Sequence, residues 1–232
     1  MRVNVVLHHK NPPAGIERYT TKLLPYLSKR ADVRVTTLKT KDTTVSSRAI
    51  RTYLSLWLQQ SNVYREDGEI VHAMGILPFH KDCIDILNIY DLTPWKYLGL
   101  YQRTLPRAMG YGMILQAMQA APKIVTTSEH TKRDIVQMCG RSPKDIYVIP
   151  GGVDLEVFRP LNLERTRRTV LFVGEDNPKK NLEKLIEGLS LVKPHPPCLV
   201  WAGRKCWPDE RKSINVLAAH LRVPLAELGY IP

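Results

Sequence analysis

Lys179, Lys180 and Asn181 follow V-G-E-D-N-P, where an apolar strand ends at Gly174 and Pro178 suits the first position of a helix. That arrangement gathers free backbone N–H groups, the positive end of a helix dipole and two ammonium groups, which together suit a phosphate. Lys180 would neutralise a diphosphate that also accepts backbone hydrogen bonds. The bland alternative is a solvated lysine pair. Cations at a helix N-terminus oppose the dipole, however, and broken local rules tend to mark sites.

Two further positions could do chemistry. Gly15 follows the first strand and the loop H-H-K-N-P-P-A, where backbone could approach a phosphate or simply turn tightly. His8 and His9 read as strand-end residues. Asp91, in Y-D-L-T-P, ends a buried strand, the place where α/β ligand sites form. It could contact a sugar hydroxyl, accept a proton, or only initiate a turn before Thr93-Pro94.

The elements that must position these residues read as alternating strands and helices. Arg2–Leu7 is an apolar strand, residues 16–29 carry Tyr19, Leu23, Leu24 and Leu27 at helical spacing, and residues 32–38 return to a β-branched strand. Residues 47–60 place Ile50, Tyr53, Leu54, Trp57 and Leu58 on one helical face with Arg48 and Arg51 opposite. Such a helix lies on a membrane surface or, more often, buries its stripe in a core. Residues 69–73 and 84–90 are short continuous apolar strands of the kind parallel sheets use. Residues 97–121 are helical, with Pro106 expected to end or kink the run. A strand at 123–127 leads to Ser128, which caps a helix through Cys139, and a strand at 146–149 stops at Pro150-Gly151-Gly152. Beyond a basic linker, 169–173 is a strand, 178–192 a helix, 198–202 a strand and 209–221 a helix. The alternation implies a doubly wound α/β architecture.

The 232 residues carry 44% hydrophobic and 24% charged residues, an ordinary folded composition, and no apolar run is long enough to span a membrane. The N-terminus lacks a signal-peptide pattern and reads as a strand. A net charge of +12 implies anionic partners. Arginines such as Arg48, Arg51, Arg103, Arg107, Arg165 and Arg168 are dispersed, without a zinc-finger or recognition-helix signature, so specific nucleic-acid binding is not expected. Cys83, Cys139, Cys198 and Cys206 form no C-x-x-C pair and read as free thiols of a reducing compartment, and no metal is expected.

The ordered set A-G-I-E-R-Y, Y-D-L-T-P, I-V-T-T-S-E-H-T-K-R-D-I, V-I-P-G-G-V-D-L-E-V-F-R-P, L-F-V-G-E-D-N-P-K-K-N-L and L-V-W-A-G-R-K-C-W resembles the retaining GT-B glycosyltransferases of the group-1 (family 4) type. The resemblance runs over essentially the whole chain. It implies a Rossmann-like, acceptor-side N-terminal domain with a parallel sheet over residues 1–160 and the first part of a donor-side Rossmann-like domain over 161–232. The implied activity is hexosyl transfer, with retention, from a nucleotide-diphosphate sugar to a glycan or lipid-linked acceptor. It implies no metal or other cofactor. Gly15, Gly174, Lys179 and Lys180 would hold the donor diphosphate, Asp91 would be catalytic, and Tyr90, Ser128 and Gly152 would lie on the acceptor side or in the cleft. A cytoplasmic enzyme, with peripheral contact at the inner membrane face, is the implied setting.

Three departures qualify that expectation. Tyr90 stands where the family often has histidine, and Glu175 where an arginine often follows the glycine. The family's acidic E-x-x-x-x-x-x-x-E donor motif lies beyond the segment matched by L-G-Y-I-P, so the C-terminal lobe is expected to be partial. The alternative from another class is a GT-B-like binding or scaffold protein without transfer activity, in which a partner completes that lobe.

Overall fold

The computed structural model describes residues 1–9, 15–39, 63, 65–75, 83–101, 105–162, 168–204 and 208–231. The expected helix at 47–60, with Arg48 and Arg51, lies outside them, as do Arg103, Arg165 and Cys206. Contacts divide the chain into two compact units, Met1–Leu155 and Glu156–Pro232.

The first unit contains β1 (Arg2–His9), α1 (Gly15–Ser28), β2 (Asp32–Lys39), β3 (Glu69–Ala73), β4 (Ile86–Ile89), α2 (Thr93–Lys96), α3 (Leu98–Tyr101), α4 (Leu105–Ala120), β5 (Lys123–Thr126), α5 (Glu129–Cys139) and β6 (Ile146–Val148). Its six strands are parallel, in the order β2-β1-β3-β4-β5-β6. Both faces are apolar because alternate residues of each strand point opposite ways. Val3 and Val5 of β1 meet Tyr19, Leu23, Leu24 and Leu27 of α1. Val6, Leu87, Ile89 and Ile124 pack instead with Ile114 and Met118 of α4 and Ile135 of α5.

Helix boundaries follow local chemistry. The Ser128 hydroxyl accepts from the Thr131 N–H at 3.1 Å and caps α5, which ends at left-handed Gly140. Within 97–121 the described residues form α3 and α4, with Pro106 at the head of the longer helix. It is the second residue of α4, where its missing N–H costs no intrahelical bond.

The second unit contains β7 (Thr169–Val173), α6 (Leu182–Ser190), β8 (Cys198–Ala202), α7 (Pro208–His220) and β9 (Leu225–Gly229), with three parallel strands in sequence order. Leu182, Ile186 and Leu189 of α6 and Ile214 and Ala218 of α7 cover Leu199 and Trp201. On the opposite face of β7, Leu171 and Val173 are 62% and 73% exposed. Leu228 and Gly229, left unassigned in the sequence, supply the end of β9.

Candidate functional site

In the first unit the strand order reverses between β1 and β3, the topological switch point at which open α/β sheets take ligands beyond their carboxyl ends. Gly15 opens α1 there. A Cβ on Gly75, just past β3, would sit 3.7 Å from Ile16 Cγ2, so the first turn of α1 lies beside the end of β3. Tyr90, just past β4, meets Tyr19 edge to face, with ring centroids 6.0 Å apart. A Cβ on Gly151 would be 4.0 Å from that same Tyr19 ring, which places the Gly151-Gly152 turn at this edge too. Lys22 of α1 reaches Asp154 at 3.0 Å.

Beneath these residues runs a half-buried polar chain. The His72 ring nitrogen Nε2 lies 2.8 Å from Asn88 Oδ1, and Asn88 Nδ2 donates to the Tyr90 hydroxyl at 3.3 Å. With that amide orientation Asn88 Oδ1 is an acceptor, so His72 carries its proton on Nε2. The Tyr90 hydroxyl also pairs with Thr20, whose own hydroxyl donates to the Ile16 carbonyl at 2.8 Å. Burial pushes the His72 pKa down, partly offset by Asn88, and keeps the ring neutral. Burial likewise pushes the Tyr90 phenol up.

Asp91 is half-buried, and its Oδ1 accepts the Thr93 N–H at 2.9 Å, a turn-closing bond. Thr131, which Ser128 caps, approaches the Tyr90 carbonyl at 3.4 Å. Gly15, Tyr90, Asp91, Ser128 and Gly152 therefore share one sheet edge. The Ser128 hydroxyl is engaged by α5, and one Asp91 oxygen by its own turn.

The second unit assembles its own edge. The Gly174 N–H donates to the Ala202 carbonyl at 2.9 Å, and the Trp201 indole donates to the Gly174 carbonyl at 2.9 Å. A Cβ on Gly203 would fall 1.7 Å from the Gly174 oxygen, so the two backbones cross where no side chain fits. Lys180 Cγ lies 3.9 Å from where a Gly174 Cβ would be, so the Lys180 side chain drapes over that glycine.

The lysine pair does not occupy the first turn of the long helix, as its sequence suggested. Pro178–Lys180 is a single 3-10 turn capped by Asn177, whose Oδ1 accepts the Lys179 N–H at 3.1 Å. Asn181 then turns left-handed (φ 54°), and α6 starts only at Leu182, with no side-chain cap from Asn181. The conflict with the helix dipole is correspondingly smaller. Gly174, Lys179 and Lys180 belong to this edge, and Glu175 adds an exposed carboxylate beside them.

Sequence reasoning missed His72, Asn88, Thr20, Gly75 and Gly203. Two of them left a signal, since His72 and Asn88 interrupt otherwise apolar strands. Among the described residues Cys83, Cys139 and Cys198 form no disulfide, and burial raises the Cys139 pKa.

A doubly wound parallel sheet and a second parallel β-α-β unit, each with glycines at its carboxyl edge, define an α/β protein of the GT-B type. Comparison with known proteins points the same way. Residues 70–157 match Glycosyltransferase Family 4. Two D-inositol 3-phosphate glycosyltransferases are similar, that of Mycolicibacterium vanbaalenii at 30% identity over 86 residues and that of Kineococcus radiotolerans at 28% over 81. These matches cover 33% and 31% of this chain but only 19% of either relative, so the chain spans about a fifth of their length in alignment. The fold of WaaG, a glycosyltransferase involved in lipopolysaccharide biosynthesis, superposes with a TM-score of 0.69 at 16% identity, covering 99% of this chain and 70% of WaaG. The resemblance to group-1 glycosyltransferases read from the motifs is therefore carried by sequence over 70–157 and by fold over nearly the whole chain.

Proposed function

We propose that this chain carries the acceptor-side domain and the opening part of the donor-side domain of a retaining glycosyltransferase. It would move a hexosyl group from a nucleotide-diphosphate sugar to a glycan or lipid-linked acceptor. The observation that carries this reading is the Gly174 turn. There two glycine backbones cross at a parallel-sheet edge, and the Lys180 side chain lies beside Gly174. A lysine beside a glycine turn at a sheet's carboxyl edge suits a diphosphate, and stabilising that diphosphate as it departs would supply much of the catalysis. Lys179 would add charge at the same edge, and Gly15 would offer the opening amides of α1 to phosphate. No metal or other cofactor takes part in this scheme.

Asp91 would receive the acceptor hydroxyl on the oxygen its turn does not use, beside Tyr90, with Ser128 and Gly152 shaping that side. Among the described residues no helix is long and apolar enough to cross a membrane. The proposed setting is the cytoplasm, with peripheral contact at the inner membrane face where the acceptor is lipid-linked.

A second reading, a binding or scaffold protein of this fold, is favoured by Glu175, whose exposed carboxylate would repel a diphosphate at the same turn. Calorimetry with uridine, guanosine and adenosine diphosphates tests the first reading. Charge-assisted bonds are worth about 1.5–3 kcal/mol, so Lys180→Ala should weaken binding roughly 10- to 150-fold. An unchanged affinity would remove this site. Release of nucleoside diphosphate from a nucleotide sugar by the 232-residue chain would sink the scaffold reading.

A further inference from the structure

We infer that Thr20, Asn88 and His72 are positioning residues, which act through the Tyr90 hydroxyl to hold the Gly15 turn in fixed register with the Asp91 turn. This rests on the reading of Gly15 as a phosphate contact and of Asp91 as the acceptor contact. The two turns come from distant parts of the sequence, and Tyr90 touches both. Its hydroxyl pairs with Thr20 in the second turn of α1, and its ring meets Tyr19 of the same helix. Its carbonyl lies 3.4 Å from the Thr131 hydroxyl, and Asp91 follows it directly.

The direction of every bond in this chain is fixed. Thr20 has one hydroxyl proton, which the Ile16 carbonyl takes at 2.8 Å, so the Thr20 oxygen accepts from Tyr90. The Tyr90 proton is thereby committed, and its oxygen accepts from Asn88 Nδ2 at 3.3 Å. Asn88 Oδ1 then faces His72, which donates through Nε2 at 2.8 Å. Four donors run one way from β3 to α1, and turning Asn88, Tyr90 or Thr20 breaks the bonds on both sides. Thr20 and Asn88 are buried, so water does not replace a lost partner. Polar side chains at these positions cost desolvation that apolar ones would not. What a satisfied chain supplies beyond packing is orientation. Ile16, whose carbonyl ends the chain, directly follows Gly15, so the opening amides of α1 are held by the same anchor. Asp91 spends Oδ1 on the Thr93 N–H at 2.9 Å, so the direction of its other oxygen follows the backbone that Tyr90 fixes.

The test uses the 232-residue chain with inorganic pyrophosphate as the probe, read by calorimetry and by hydrogen exchange. The parent is compared with Tyr90→Phe, Thr20→Val, the two combined, Thr20→Ser and Lys180→Ala. Tyr90→Phe keeps the ring against Tyr19 and removes only the hydroxyl, and Thr20→Val is close to isosteric. Each should weaken pyrophosphate about 2- to 12-fold, the factor of one net hydrogen bond. The combined variant should lose no more than either single one, since both remove the same bond, and Thr20→Ser should keep the parent affinity. Bound pyrophosphate should also slow exchange across residues 91–96 in the parent and not in Tyr90→Phe, a transfer that packing alone does not supply. Should Thr20→Val fail to fold, Tyr90→Phe and Thr20→Ser carry the comparison. Parent affinity in Tyr90→Phe and Thr20→Val while Lys180→Ala weakens binding would overturn the positioning role and spare the diphosphate reading. So would additive losses in the combined variant, a weakened Thr20→Ser, or equal protection of 91–96 in Tyr90→Phe. Failure of the parent to bind pyrophosphate would overturn both.

Discussion

Gly203→Ala provides the sharpest test of the crossing that builds the second unit's edge. The added Cβ would lie 1.7 Å from the Gly174 oxygen, 2.5 Å from its carbonyl carbon and 3.1 Å from the Trp201 indole nitrogen. A carbon normally stays about 3.3 Å or more from a carbonyl oxygen, so the ends of β7 and β8 must part by roughly 1.5 Å. Overpacking of this kind costs about 1–3 kcal/mol. The same displacement breaks the 2.9 Å bond from the buried Trp201 indole to the Gly174 carbonyl, leaving a donor unsatisfied for about another 1–3 kcal/mol. Gly188→Ala is the control, because that glycine lies inside α6 with nothing within 4 Å of its Cβ position. It should gain about 0.5–1 kcal/mol from reduced backbone freedom. Hydrogen exchange of peptides spanning β7 and β8 reads both. Taking about 4 kcal/mol as the combined cost, protection in Gly203→Ala should fall several hundred-fold, and Gly188→Ala should raise it slightly. Protection within threefold of the parent in Gly203→Ala would refute the crossing.

Two further outcomes follow from the first unit. Ser128→Ala removes the cap of α5 and should cost about 1 kcal/mol, lowering the melting temperature of a unit this size by roughly 2–4 °C; an unshifted melt would deny the cap, and Ser128→Asp should restore it. His72 concerns pH. Its folded pKa is depressed by burial below the ordinary 6.5, so below that value the unfolded chain binds a proton the native ring refuses. The contribution of neutral His72 is thus complete above pH 6.5 and is lost as pH falls towards the depressed value. Urea midpoints from pH 8 to pH 5 should decline less steeply for His72→Gln than for the parent, and parallel curves would count against a buried neutral ring.

The sequence was legible where local chemistry decides. Continuous apolar runs bounded by glycine and proline announce strands of a two-sided parallel sheet, and β3, β7 and β8 appear at the expected residues, 69–73, 169–173 and 198–202. Ser128 announced its helix for the same reason, since a cap and its N–H partner lie three residues apart. Legibility failed where a residue far along the chain decides. Nothing near Lys180 reveals that Asn181 will turn left-handed and delay α6, because asparagine tolerates that backbone without demanding it. Strand order, and with it the switch point at β1 and β3, is a matter of non-local pairing. So is the crossing of Gly174 with Gly203, which reads in sequence as two unrelated turn glycines.

The same distinction explains the two edges. In the first unit, His72, Asn88 and Tyr90 come from adjacent strands and Thr20 from α1, so a single hydroxyl fixes the first turn of the helix that Gly15 opens. Tyr90, which stands where the resembled family often has histidine, is by its contacts the junction of that chain. One strand over, His72 is held neutral and bonded through Asn88 to the Tyr90 hydroxyl. A histidine at position 90 would lack the phenol that spans from Asn88 to Thr20, so the tyrosine and the buried His72 form one arrangement, to be perturbed together.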